Sequence, residues 1–473
     1  MRKLLILSLF ALQCNTVGAV YGESVGIVTK QFEDGGVYEG TFKNGLQHGK
    51  GSYRLPNGYE YVGSWVKGEI KGAGIARFPN GSIYEGNFEQ GKPDGIGKIT
   101  FADGGTYDGS WVNGEISGEG IAIYANNARY EGGFEKSMHH GQGIVTNEDG
   151  YIYDGQWVNG EKQGFAKVTY PDGTTYEGSI INGKRDGDGT LKMPNGVVFT
   201  GFWKDGQING EAKLTQPNGD IFEGFLVNGV RQGSGEIKYA NGDIYNGNFY
   251  NDQRQGNGTF TGKDGYIYTG NWQNGDIEGI GEVTYPDGSK YTGSFTSGVA
   301  NGEGKIIYSD GGSYEGDWVN GMIEGNGTAT YPNGITYTGG FQQARNHGYG
   351  IMTYSDGYIY KGSWKDGMRH GKGKATFPDG MVYEGDYQES QRHGIGKITM
   401  ADGFSYEGNW KNGEINGWGK ATYSNGDIYE GNFVNGERQG QGTIKFASGE
   451  EATGDWENGA LISSEDDGVV KEN

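Results

Sequence analysis

With 96 Gly, 33 Tyr and only 9 Pro among 473 residues, the chain has the balance of short strands and tight turns, not of helices. Its formal net charge of −21 sets up a field that repels nucleic acid and anionic bilayer surfaces. No run of five or more Lys and Arg interrupts that field.

Met1-Arg2-Lys3 is a cationic start, Leu4 to Leu12 is largely apolar, and Val17-Gly18-Ala19 offers small residues for cleavage. Together they predict a signal peptide over residues 1–19. The apolar run is too short for a membrane-spanning helix, and no later segment is a better candidate. Cys14, the one cysteine, falls in this leader, so the mature chain is expected to be free of thiols. Gln13 is not the small residue that a lipoprotein cut before Cys14 requires. The expectation is an exported protein, periplasmic or at the cell surface or secreted. Residues 20–37 then read as a join and a half-repeat, in which Ile27 to Phe32 feeds the turn Asp34-Gly35.

From Tyr38 onward one 23-residue unit starts nineteen times, the last at Ala452, with no insertion or deletion. Such a register overrides a domain count based on length. The first position is aromatic in all but that last unit, Phe199 and Phe222 replacing Tyr; Gly follows two residues on, from Gly40 to Gly454. Two further on is Phe or Trp, with Ile180, Leu226 and Tyr387 as variants. Period two is the strand period, so these three positions share one face and Glu39, Glu85 and Glu177 take the other. The second strand repeats the logic: Gly97, Ile99 and Phe101 share the core face, Lys98 and Thr100 the polar one.

Each unit is thus read as a β-hairpin. Turns such as Pro79-Asn80-Gly81 and Pro378-Asp379-Gly380 supply the positive φ of tight hairpins, and Asn127 stands in for Gly in one of them. The other connection, carrying Gly45 and Gly49 or Gly91 and Gly95, is read as longer. A lone hairpin is marginal in water, so neighbours must stack. The predicted fold is all-β: an elongated, solenoid-like single antiparallel ladder over residues 38–462, followed by an acidic C-terminal tail at 463–473. Nineteen units at two strands each would extend on the order of 180 Å.

The pattern Tyr-x-Gly-x-[Phe/Trp]-x-x-Gly-x-x-x-Gly-x-Gly, as in Tyr406 to Gly419 with Trp410, resembles the MORN (membrane occupation and recognition nexus) repeat from Tyr38 to about Trp456. The resemblance implies a β-hairpin ladder serving as a scaffold, spacer or membrane-associated interaction surface. Phospholipid binding has been ascribed to that family, which also occurs fused to lipid kinases and methyltransferases; no such domain accompanies the repeats here. Ser137, Asp252, Ala344 and Ser390 depart from the pattern at the first loop Gly and mark expected local changes of turn.

Little in the sequence points to chemistry. Gly49-Lys50-Gly51 and Gly371-Lys372-Gly373 lack the Lys-Ser/Thr pair and helix start of a phosphate loop. His48, His140, His347, His370 and His393 share one loop position before a Gly, but a pitch near 9.6 Å is too long for neighbours to share an ion. Acidic residues follow neither the EF-hand nor the nine-residue calcium spacing, and as repeated equivalents none is singled out for catalysis. No cofactor, metal or small-molecule substrate is expected, and the chain is read as no enzyme.

One variation has a doubled period. Trp65, Trp111, Trp157 and Trp203 are 46 residues apart, and after a slip around Leu226 and Phe249 the series resumes at Trp272, Trp318, Trp364, Trp410 and Trp456. Six of these nine are followed five residues later by Ile, as at Ile70, Ile116 and Ile415. The nine Trp form a candidate interaction stripe; packing against Gly is the competing reading. The expected function is a non-enzymatic exported scaffold for protein–protein or envelope-associated contacts, with protein partners or self-association. The alternative is a module binding envelope glycans or phospholipid headgroups through its aromatic face.

Overall fold

A computed structural model describes residues 26–464. The predicted signal peptide with Cys14, the start of the N-terminal join and the acidic tail from Glu465 lie outside the described residues. Among the described residues there are 39 strands and no helix. Contacts group them into two units, up to Ala240 and from Asn241 onward, which hold nineteen and twenty strands respectively. Within each unit every strand runs antiparallel to its neighbours in sequence, as the hairpin reading requires.

The half-repeat is strand β1 (Val28–Gln31), paired with β2 (Val37–Lys43) through a turn at Gly35. From β2 to β38 (Glu451–Glu457), strands of seven and nine residues alternate without exception. A single hairpin, β2 with β3 (Leu46–Arg54), shows why they differ. Lys43 faces Leu46 and Phe42 faces Gln47, yet Gly40 faces Gly51. Only Thr41 stands against His48, Gly49 and Lys50, so the longer strand carries a bulge of two extra residues, with Gly49 at φ +83°.

This geometry corrects the sequence reading of the two connections. The one read as longer is the tight one: Asn44 (φ 51°) and Gly45 (φ 79°) form a two-residue turn with both φ positive, the type that matches strand twist. The second Gly of that stretch lies inside the strand, at the bulge. The Pro-Asn-Gly connection is instead a type I turn closed by a left-handed residue. Gly58 N donates to Leu55 O (3.1 Å) and Leu55 N to Tyr59 O (2.8 Å), and Asn57 Oδ1 accepts from Tyr59 N (3.0 Å). Asn127 holds φ 59° in the Gly place, as expected.

The expected turn changes at Ser137, Asp252, Ala344 and Ser390 do not occur. All four keep positive φ, from 59° to 67°, and Ala344 N still donates to Ile323 O of the preceding hairpin (3.0 Å), as Gly91 N does to Ile70 O (3.0 Å). Neighbouring hairpins fix both ends of this turn, so the backbone holds and the side chain bears the strain.

The core is a layer of rings laid on the sheet's own glycines. Tyr38 is fully buried and its Oη donates to Thr41 O (3.0 Å), which tips the ring over Gly40 and Gly51. A Cβ on Gly51 would sit 2.5 Å from the ring, and Gly40 and Gly51 approach too closely for a Cβ on Gly40. The ring then meets Phe42 of its own hairpin and Trp65 of the next edge-on, each at 5.1 Å. The same bond recurs from Tyr61 to Ser64 O (3.0 Å) and from Tyr429 to Asn432 O (3.2 Å).

Candidate interaction faces

The nine Trp of the doubled period are all buried, with 1 to 7% of their surface exposed. Each indole Nε1 donates to the carbonyl of a Gly fourteen residues earlier, on the preceding hairpin: Trp111 to Gly97 O (3.0 Å), Trp272 to Gly258 O (3.2 Å), Trp456 to Gly442 O (3.1 Å). Trp65, Trp157, Trp203, Trp318, Trp364 and Trp410 make the same bond. With both ring and donor spent inside the ladder, the candidate stripe is packing and presents no surface. The exposed tryptophan is Trp418, at 55%, on the opposite face.

The physical origin of the doubled period is a slot that sequence reasoning missed. Five residues after the second aromatic, the side chain lies against rings of its own and the next hairpin. Ile70, Ile116, Ile208 and Ile323 fill the slot as buried aliphatics. Arginine fills it elsewhere: the guanidinium of Arg185 lies 4.4 Å from the Trp203 ring, Arg254 4.0 Å from Trp272, Arg392 4.4 Å from Trp410 and Arg438 4.2 Å from Trp456. Arg185 and Arg438 also donate to Gly206 O and Gly459 O, at 2.7 and 2.6 Å, tying down the next turn. The signal was available in the recurrence of Ile or Arg at this spacing, in twelve of the nineteen repeats.

Two slots hold titratable groups side by side. His139 stacks on Tyr130 at 3.7 Å, meets Trp157 edge-on at 4.7 Å and has its Nε2 2.6 Å from Tyr124 Oη. Burial, with Lys162 nearby, lowers its pKa to about 4. In the next hairpin Lys162 Nζ lies 2.6 Å from Tyr151 Oη and over the rings of Tyr151 (4.5 Å) and Tyr153 (4.7 Å). Burial lowers it to about 8.

The position shared by the five histidines lies on the longer strand beside the bulge. In other repeats the side chain there accepts from a backbone N–H of the next hairpin's tight turn, whereas Nδ1 of His140 and of His347 is buried with no hydrogen-bond partner among the described residues. Asp94 Oδ2 takes the N–H of Asn113 (3.0 Å), Asn209 Oδ1 that of Asn228 (2.9 Å) and Glu278 Oε2 that of Ser297 (2.9 Å); His48 Nδ1 stands 3.5 Å from Lys67 N. Among the described residues no three His, Cys, Asp or Glu side chains converge on a point that could hold an ion.

The opposite face is solvated and repeats with the hairpins. Lys213 pairs with Glu223 (2.8 Å), Lys305 with Glu315 (3.0 Å), Lys374 with Glu384 (3.1 Å) and Lys420 with Glu430 (2.5 Å), always across neighbouring strands. Where both residues are Thr, as at Thr259 and Thr269, the hydroxyls lie 3.1 Å apart. At these exposures the ion pairs add little stability, and the same face carries exposed apolar side chains at one recurring position, among them Ile96, Phe165, Ile280, Tyr349, Ile395 and Trp418.

The MORN repeat model matches eighteen segments, from residues 38–58 to residues 429–451. No curated protein matches the chain. Among solved structures, the TCP domain of SAS-4 (dCPAP) of Drosophila melanogaster, in complex with a proline-rich motif of Ana2 (dSTIL), is similar at 13% identity. The match covers 42% of this chain and 88% of that one, with a TM-score of 0.21. The TCP10 domain of Danio rerio CPAP is similar at 14% identity over 51% of this chain and 93% of that one, with a TM-score of 0.17. Scores this low carry no argument about partners. The repeat model, by contrast, matches most of the chain hairpin by hairpin, and the chain belongs to the MORN repeat family.

Proposed function

We propose that the chain is a non-enzymatic scaffold, exported to the periplasm, cell surface or medium, that engages other proteins through its solvated face. The observation that supports this reading is the division of labour between the faces. The nine Trp of the doubled period and the Tyr at the first position of the repeats are consumed in covering the sheet's own glycines, while the other face, with its recurring Lys–Glu and Thr–Thr pairs, is open to solvent. Glycans or phospholipid headgroups bound through the Trp stripe would need rings that the ladder has buried.

Site-specific photo-crosslinking in the producing cells tests the proposal. With benzoylphenylalanine replacing Thr269 or Glu384 on the polar face, discrete protein adducts are expected. Adducts confined to lipid or glycan would move the assignment to the binding-module alternative, and no adduct at any polar-face position would overturn it. Export is tested separately by fusing residues 1–40 to a reporter that is active only outside the cytoplasm; a silent reporter contradicts it.

A further inference from the structure

One stretch of the polar face in the first unit departs from the repeat. The position between the Gly and the second aromatic holds Ser, Asn, Asp, Gly, Thr or Gln in seventeen of the nineteen repeats, and Phe in two consecutive ones, Phe202 and Phe225. Their rings are 46% and 44% exposed. They lie on β16 (Val198–Lys204) and β18 (Ile221–Val227), just where the Trp series slips.

The residues directly across the ladder from them are both acidic. Asp188 on β15 (Lys184–Lys192) faces Phe202, and Glu211 on β17 (Gln207–Thr215) faces Phe225. Among the described residues Asp188 and Glu211 are exposed and have no ion pair, whereas Lys213 is taken by Glu223 at 2.8 Å and Lys167 by Glu177 at 3.7 Å. Across four successive strands the order is acid, ring, acid, ring: the two acid–ring pairs are in register, and Phe202 meets Glu211 across the bulge of its own hairpin. An exposed ring beside an uncompensated carboxylate is the environment that a guanidinium or ammonium group occupies best, lying on the π face with its charge met from the side.

We propose that Asp188, Phe202, Glu211 and Phe225 form a docking site for a basic, extended segment of a partner protein, with Arg or Lys at every third residue. The proposal rests on the scaffold reading and names the chemistry of one contact. The acid–ring pair repeats every two strands, about 9.6 Å. A polyproline II segment returns to the same face every three residues, about 9.3 Å. One cation would then lie on Phe202 beside Asp188 and the next on Phe225 beside Glu211, with the chain's negative field steering the segment in. A segment in β conformation, whose face repeats near 6.7 Å, does not keep this register.

The test is titration calorimetry of the full mature chain with two acetylated, amidated heptapeptides of identical composition. In one, Arg-Pro-Pro-Arg-Pro-Pro-Arg, the charges are spaced; in the other, Arg-Arg-Arg-Pro-Pro-Pro-Pro, they are clustered. The spaced peptide is expected to bind at least tenfold more tightly. The double variant Phe202→Ser with Phe225→Ser, residues other hairpins carry at this position, and the pair Asp188→Asn with Glu211→Gln should each erase that preference with circular dichroism unchanged. Equal affinity for the two peptides, or an unaltered preference in both variants, overturns the proposal and leaves only attraction to an acidic chain. Failure here with protein adducts still forming at Thr269 or Glu384 refutes this site alone; failure of both refutes the scaffold.

Discussion

At the scale of single residues, the decisive fact is that the rings serve the sheet that bears them. The alternation Tyr-x-Gly-x-Trp was legible in the sequence, and so was the core face. That Tyr38 lies flat over Gly51 and bonds back to Thr41 O was less legible, because period two names a face and says nothing of how a ring lies on it. Ala344, held at φ 59°, carries a left-handed strain of about 1 kcal/mol that Gly would not. Ala344→Gly should slow hydrogen exchange in β28 (Thr336–Gln342) and β29 (Arg345–Thr353), whereas faster exchange there would show the turn already relaxed.

His139 gives a pH dependence with a definite sign. Its pKa is lowered from 6.5 to about 4 by burial, so between those values the unfolded chain binds more protons and stability falls as pH drops. Lys162, lowered from 10.5 to about 8, works in another window: stability rises from about pH 8 toward 10.5, until the buried tyrosines, whose pKa values are raised, oppose it. Since other slots accept Ile, His139→Ile should fold and should gain in thermal stability over the parent chain between pH 6.5 and 4.5. Carboxylates elsewhere titrate equally in both proteins and cancel. A constant difference in melting temperature across that range would show that His139 titrates normally.

At the scale of the hairpin, the sequence marked the glycines correctly and assigned their turns the wrong way round. Asn-Gly appears in both connections, as Asn57-Gly58 and Asn44-Gly45, and composition alone cannot say whether one φ or two is positive. The bulge decides it, and a bulge is a property of two paired strands. For the same reason the slot was missed: Arg185 is read against Trp203 only once hairpins are stacked. Stability in such an array is a sum of hairpin and neighbour terms. Tyr245→Ala, removing a fully buried ring that meets Phe249 at 5.2 Å and Trp272 at 5.2 Å, should cost about 3–5 kcal/mol locally. Exchange should quicken in β20 to β23 (Ile244–Tyr250 through Asp276–Thr284) and stay slow in β30 (Ile359–Lys365); uniform quickening would mean that the unit melts as one block.

At the scale of the whole chain, the acidic balance and the exact repeat were evident from the sequence. The face that interacts was not evident, since a Trp every 46 residues reads equally as stripe or as packing. Burial of all nine, with every indole N–H bonded to a glycine carbonyl, turns attention to the polar face and its exceptions. Acrylamide quenching of tryptophan fluorescence in Trp418→Phe tests this assignment most directly, because a neutral quencher is indifferent to the chain's charge. The remaining nine tryptophans should be nearly unquenched, with most of the quenching of the parent chain lost along with Trp418. Strong quenching that survives the substitution would mean that the Trp row is open to solvent and that the aromatic face is available for binding.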